Sequence, residues 1–188
     1  LLLLNQPAIA ISTSAASGTA FNFPPLLTRL SLNCSFGDAT HFKALPKGLT
    51  HLHLDNCQLR DGWVSSLPRS LLYLCMPTDQ SLSDAGIPEF PVDLRTLDLP
   101  SNNLITDAGF AVLPRGLLAL SLPQNTLATD AGVPGLPRTL YHINLIGNRN
   151  FTALSLSYWP PDMEAIDVNI GDVVENKETP VDRGGAAG

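Results

Sequence analysis

One decapeptide pattern recurs seven times along this 188-residue chain. LPRGLLALSL begins at 113 and returns as LPRTLYHINL at 136, LPRSLLYLCM at 67 and LPKGLTHLHL at 45. FPPLLTRLSL at 23, FPVDLRTLDL at 90 and WPPDMEAIDV at 159 are more divergent copies. The starting residues Phe23, Leu45, Leu67, Phe90, Leu113, Leu136 and Trp159 lie 22 or 23 residues apart, and a proline follows each. The fifth, eighth and tenth residues are aliphatic in every copy, from Leu27, Leu30 and Leu32 in the first to Met163, Ile166 and Val168 in the last. A period of this length constrains the fold more than any other feature. A single unit cannot bury its own leucines, so successive units must stack and share one continuous core.

The pattern reads L-x-x-L-x-L-x-x-N/C-x-L, clearest in LRTLDLPSNNL at 94–104 and LLALSLPQNTL at 117–127. It resembles the leucine-rich repeat family over residues 23–173. The leading LP is similar to repeats of bacterial effectors and some protists, and the TDAG segments are similar to the ribonuclease-inhibitor type. The resemblance implies an α/β fold, a right-handed solenoid or horseshoe with a concave parallel β-sheet and short helices or turns on the convex side. It also implies that the chain binds another protein on its concave face.

The residues themselves support that layout. An x-L-x-L-x strand turns its leucines to one side and its variable residues to the other. The thirteenth position holds Asn102, Asn125 and Asn148 in three units, side chains suited to bonding a turn backbone, and Cys57 in another. Ser or Thr followed by Asp at 83–86, 106–109 and 129–132 marks short helix starts, ended soon after by proline. Pro77, Pro100 and Pro123 align at the eleventh position and, lacking an N–H, should end the sheet on that side. Residues 1–22 form an expected N-terminal capping segment, in which PAIAIST alternates like a strand. Residues 23–173 are the solenoid, and 174–188, ending RGGAAG, an expected flexible tail.

Composition excludes several classes of function. With 11 Lys+Arg against 17 Asp+Glu, net charge −6, no clustered basic face for nucleic acid is expected. No apolar run approaches the roughly 18 to 20 residues needed to span a bilayer. The opening LLLL follows no Met and no basic residue, so the chain reads as a processed or excised piece. Three cysteines without C-x-x-C spacing predict a reducing, cytoplasmic setting. The sequons NCS at Asn33 and NFT at Asn150 are the signals for an extracellular one.

The seventh, ninth and eleventh residues of each unit should face outward. THLHLDNC, 50–57, thus sets His51, His53 and Asp55 on one face, and with Cys75 on the next strand a metal site is sterically allowed. No second Cys/His pair completes it, so no metal and no cofactor is expected. Ser31, Asp98, Ser121 and Asp167 scatter over the face, and no serine stands beside a base as a hydrolase requires. His142 lies about 19 Å from His51, four strands away, too far for one catalytic centre. With no G-x-S-x-G, phosphate loop or H-E-x-x-H, no enzymatic activity is expected. The better candidates are His51, His53, Leu72, Tyr73, Arg95, Leu118, Tyr141 and His142, since aromatics, arginine and exposed leucines anchor protein recognition. Lys47, Arg69, Arg115 and Arg138 should stack into a basic ridge, and Asp84, Asp107 and Asp130 into an acidic one, as solvated faces with some ion pairing. The expected function is a protein–protein interaction module. The alternatives are a scaffolding subunit of a larger assembly, held through its ridges, and extracellular recognition of a non-protein ligand.

Overall fold

The computed structural model describes residues 8–12, 22–33, 39–77 and 81–168. The expected tail at 174–188 and most of the expected cap lie outside them. Eight strands form one parallel sheet in chain order: β1 (Ala8–Ser12), β2 (Arg29–Asn33), β3 (His51–Asp55), β4 (Tyr73–Cys75), β5 (Thr96–Asp98), β6 (Ala119–Ser121), β7 (His142–Leu145) and β8 (Ala165–Val168). Register follows the repeat without a slip. Leu30, Leu52, Leu74, Leu97, Leu120, Ile143 and Ile166 stand side by side across the sheet. Where the connection is described throughout, as between β3 and β4 or β5 and β6, it crosses on the far side of the core, as joining parallel neighbours requires. The strands are three residues long where Pro77, Pro100 or Pro123 occupies the eleventh position and four or five residues elsewhere.

The core is the stacked ladder of repeat leucines. Leu49, Leu52, Leu54, Leu71, Leu74, Leu94, Leu97, Leu99, Leu117 and Leu122 are fully buried, closed on the far side by Phe42, Phe110 and Phe151. At about 1.5 to 3 kcal/mol per buried large aliphatic, this ladder is the main driving force of the fold. The last unit is thinner. Ile166 is 37% exposed, whereas its counterpart Leu120 is 1% exposed.

Strict alternation would send the sixth residue of each unit toward the core, yet residues 50, 72, 95, 118 and 141 are half-buried or exposed. The backbone explains why. The N–H groups of residues six and seven both donate to the carbonyl of residue six in the preceding unit, as in Leu72 and Tyr73 to Thr50, and Arg95 and Thr96 to Leu72. The same doubling joins Leu118 and Ala119 to Arg95, and Tyr141 and His142 to Leu118. Two residues oppose one, as in a bulge, which resets the alternation so that both turn away from the core.

The far side is held by a different ladder. Three contacts recur along the segments SDAG at 83, TDAG at 106 and 129, and TALS at 152. The Thr hydroxyl oxygen accepts the N–H two residues on, capping the turn, at Thr106, Thr129 and Thr152. The Asp carboxylate accepts both the N–H and the hydroxyl of the Thr one unit later: Asp84 from Thr106 (2.9 and 2.6 Å), Asp107 from Thr129 (2.7 and 2.7 Å) and Asp130 from Thr152 (2.8 and 2.5 Å). Asp61 and Ser83 begin the series. The Gly leaves room for the preceding Asp, since a Cβ on Gly132 would stand 2.6 Å from Asp107 Oδ1, and one on Gly109 would collide with Asp84 Oδ1.

The acidic column is therefore a set of bidentate staples between neighbouring units rather than a solvated face. Two of the arginines are similarly occupied. Arg69 donates to the Glu89 and Ser65 carbonyls, and Arg115 to those of Gly135 and Ala111, clamping the ends of successive far-side turns. Those turns are short: the helices α1 (Thr40–Lys43) and α2 (Asp107–Ala111), and 3₁₀ segments at Asp61–Ser66, Ile87–Glu89, Asp130–Gly135 and Ala153–Tyr158. Pro88 and Pro134 fall inside two of them, and a missing N–H with a fixed φ prevents an α-helix from forming there.

Strand exits are also repeated. Residue twelve takes a left-handed conformation in four units, at Asn56, Ser101, Gln124 and Gly147. The thirteenth residue then turns inward. Asn102 Nδ2 donates to the Leu82 carbonyl and its Oδ1 accepts from Leu104 N–H, whereas Cys57 donates its thiol weakly to the Asp55 and Leu32 carbonyls.

Candidate binding face of the sheet

The side of the sheet turned away from the core carries three columns, set by the register. Residue six contributes Thr50, Leu72, Arg95, Leu118 and Tyr141 in successive units. Residue seven contributes Arg29, His51, Tyr73, Thr96, Ala119, His142 and Ala165. Residue nine contributes Ser31, His53, Cys75, Asp98, Ser121, Asn144 and Asp167. All eight candidate residues from the sequence fall on these columns, but they divide into groups.

His51 and Tyr73 are stacked, with ring centroids 5.7 Å apart and planes 23° apart. His53 stands between Ser31 and Cys75 in register. Leu72, Arg95, Leu118 and Tyr141 form an unbroken row linked by the doubled hydrogen bonds. Leu72 and Tyr141 are 39% and 43% exposed, so the row presents substantial apolar area. The Arg95 guanidinium is tethered to the Gly116 carbonyl at 2.8 Å, which fixes its position within the row. His142 is three strands from Tyr73, with Nε2 3.5 Å from Asp167 Oδ2. The structure thus does not bring His142 to His51.

The protonation of His51 is set by its neighbours. Thr50 Oγ1 donates to the Thr28 carbonyl, so it can only accept from His51 Nδ1–H at 3.0 Å. Arg29 Nη2, a donor only, faces His51 Nε2 at 3.5 Å. The Arg29 contact requires the neutral imidazole, with its proton on Nδ1 toward Thr50, and burial followed by the Arg29 charge lowers its pKa below 6.5.

Cys75 is directed elsewhere than toward the histidines. Its thiol donates to Asp98 Oδ2 at 3.4 Å, and burial, then the Asp98 charge, pushes its pKa up to about 12. Burial and the adjoining Cys75 likewise raise Tyr73 to about 12. A thiol held protonated beside a carboxylate is a poor metal ligand, because coordination needs the thiolate. Among the described residues no group of three His, Cys, Asp or Glu converges on a point that would hold an ion.

Asp98 and Ser121, expected to scatter, are direct register partners. With Tyr73, Thr96, Ala119, His142 and Asn144 they border a depression of about 320 Å³ on the open face. Its shape comes from the seventh-position column, in which bulky Tyr73 and His142 flank small Thr96 and Ala119. That size profile was present in the sequence but acquires meaning only once the strands are in register.

The seven matched units, the parallel sheet and the short far-side turns define a leucine-rich repeat solenoid. No protein-family model matches the chain, and no curated protein matches its sequence. Solved structures do match in fold. An internalin from Listeria monocytogenes superposes with a TM-score of 0.58 at 20% identity, over 77% of this chain and 42% of that one. The leucine-rich repeat-containing protein LegL7 from Legionella pneumophila matches with a TM-score of 0.50 at 12% identity, over 78% of this chain and 59% of that one. The chain therefore spans less than two thirds of either protein. No helix among the described residues is long and apolar enough to cross a membrane.

Proposed function

We propose that this chain is a protein-interaction module whose open sheet face docks a partner protein, without catalysis and without a cofactor. The observation that carries this reading is the row Leu72, Arg95, Leu118 and Tyr141, beside the stacked pair His51 and Tyr73. Aliphatic, aromatic and arginine side chains held side by side on a rigid frame are the chemistry of interface anchors. The doubled backbone bonds hold them in place before binding, so little ordering entropy is lost on association. His53 and His142 extend the same face at either side. Cys57 and Cys75, buried thiols outside any disulfide, favour a reducing, cytoplasmic setting.

Affinity capture from the native source with the parent and a Leu118→Ala/Tyr141→Ala variant tests the reading. Both side chains point away from the core, so the variant should melt like the parent yet lose its captured protein by at least about tenfold. Equal recovery by both would refute docking on this face. A scaffolding role held through Arg69 or Arg115 is disfavoured, since both arginines are committed to carbonyls of the fold itself. Glycan at Asn33 or Asn150 would overturn the cytoplasmic placement. Both asparagines are exposed, with Nδ2 bonded to Asp55 Oδ2 and the Thr126 carbonyl respectively.

A further inference from the structure

We infer that the depression between Tyr73 and His142 is a subsite for an arginine side chain of the partner, anchored by the Asp98 carboxylate. This rests on the open face being the binding face, and it names what that face recognises. Three features of the depression converge on a guanidinium.

The first is the electrostatic state of Asp98. It is half-buried, and the one hydrogen bond to its carboxylate among the described residues comes from the Cys75 thiol, a weak donor at 3.4 Å. A partly desolvated carboxylate with such a partner gains most from a charge-assisted N–H donor. The cations on the same face do not supply one. Arg95 is tethered to the Gly116 carbonyl, Arg29 faces His51, and His142 is turned to Asp167.

The second is the wall. His51 covers one face of the Tyr73 ring, and on the other side Tyr73 borders the depression beside Thr96. A planar guanidinium can lie against that ring, which a compact ammonium does less well.

The third is the set of further acceptors. The Ser121 hydroxyl, the register partner of Asp98, has no protein partner among the described residues, and the depression of about 320 Å³ leaves space above Ala119 for a side chain to reach it. Two acceptors on neighbouring strands, Asp98 and Ser121, suit the forked donors of arginine. The net charge of −6 favours a basic partner, whereas an acidic or phosphorylated one would meet Asp98 head-on.

Two-dimensional NMR titration with N-acetyl-arginine amide, N-acetyl-lysine amide and N-acetyl-glutamate amide, each up to about 50 mM to suit the weak binding of so small a ligand, tests the assignment. The arginine probe should shift the backbone amides of Thr96, Asp98, Ala119 and Ser121, with the lysine probe weaker and the glutamate probe without effect. Asp98→Asn keeps the size and an acceptor for Cys75 but removes the charge, and should weaken arginine binding by at least about tenfold. Ala119→Leu fills the depression while leaving Asp98 in place, and should do the same. If Ala119→Leu does not fold, Asp98→Asn alone decides.

No localised shift with the arginine probe, unchanged affinity in Asp98→Asn, or lysine or glutamate binding as tightly as arginine would each overturn the assignment. A protein partner captured through Leu118 and Tyr141 while the arginine probe has no effect would leave the docking face standing and remove only this subsite.

Discussion

Thr50 gives its hydroxyl proton to the Thr28 carbonyl, and that choice passes to the next residue. His51 must then donate from Nδ1 and accept at Nε2, which leaves it neutral between Thr50 and Arg29. Its folded pKa lies below the 6.5 of a free imidazole, so between the two values the unfolded chain binds the extra proton. The stability that His51 contributes is therefore complete above pH 6.5 and is lost as pH falls toward the folded value. An NMR pH titration should show His51 titrating below 6.5, with Arg29→Gln recovering only the smaller, charge-driven part of the shift. A midpoint at or above 6.5 in the parent would contradict the Arg29 contact at Nε2. The sequence placed His51 and His53 on the outer face, because alternation alone determines facing. It could not show that Cys75 turns to Asp98, since side-chain partners across a sheet depend on rotamer and local charge.

At the scale of the element, the Thr-Asp-x-Gly turn works as a reciprocal joint: cap, acceptor and clearance in four residues. Removing Asp107 with Ala should cost about 1 to 3 kcal/mol, because Thr129 N–H and its hydroxyl lose their acceptor. Gly132→Ala should cost a comparable amount, about 1 to 3 kcal/mol, by pressing a methyl group on the Asp107 carboxylate. The two sites share one space, so in a double-mutant cycle by urea unfolding the Gly132→Ala penalty should shrink once Asp107 is Ala. An equal penalty in both backgrounds would show that the carboxylate does not set the clearance.

Half of this joint was legible in the sequence. Ser or Thr before Asp marked the turn starts, and Thr106 and Thr129 do cap them. The role of Asp was hidden because its partner lies 22 residues away, and a capping rule looks only within one turn. The same limit explains the arginine column. A shared position suggested a ridge of charge, whereas Arg69 and Arg115 find carbonyls about 20 residues on.

The whole molecule is a linear stack in which each unit touches chiefly its neighbours, so stability should vary along its axis. Ala119 and Ala165 make an internal comparison. Both are the seventh residue of their units, and each donates a 3.0 Å hydrogen bond to the sixth carbonyl of the unit before. Around Ala119 the core is closed, with Leu120 1% exposed, whereas beside Ala165 the core residue Ile166 is 37% exposed. Native-state hydrogen exchange should therefore find Ala165 opening more readily than Ala119, by at least about tenfold. Equal protection would mean that the stack opens as a single cooperative unit. The architecture was almost wholly readable from 21 aliphatic slots, because burial periodicity fixes both the strand and its register. The depression on the open face was not. It depends on which side chains are small in adjacent units, and that comparison has no meaning before the strands are aligned.

The doubled backbone bond at the start of strands β3 to β8 also bears on how such a chain can change over generations. The shared acceptor is a carbonyl, so the frame is indifferent to the side chain beside it: Thr28, Thr50, Leu72, Arg95, Leu118 and Tyr141 all serve. Single-codon substitutions at these places can redraw what the surface recognises while leaving folding intact, and in-frame duplication of one unit can lengthen that surface without a newly invented interior. Heritable novelty and structural risk are thus carried by different residues.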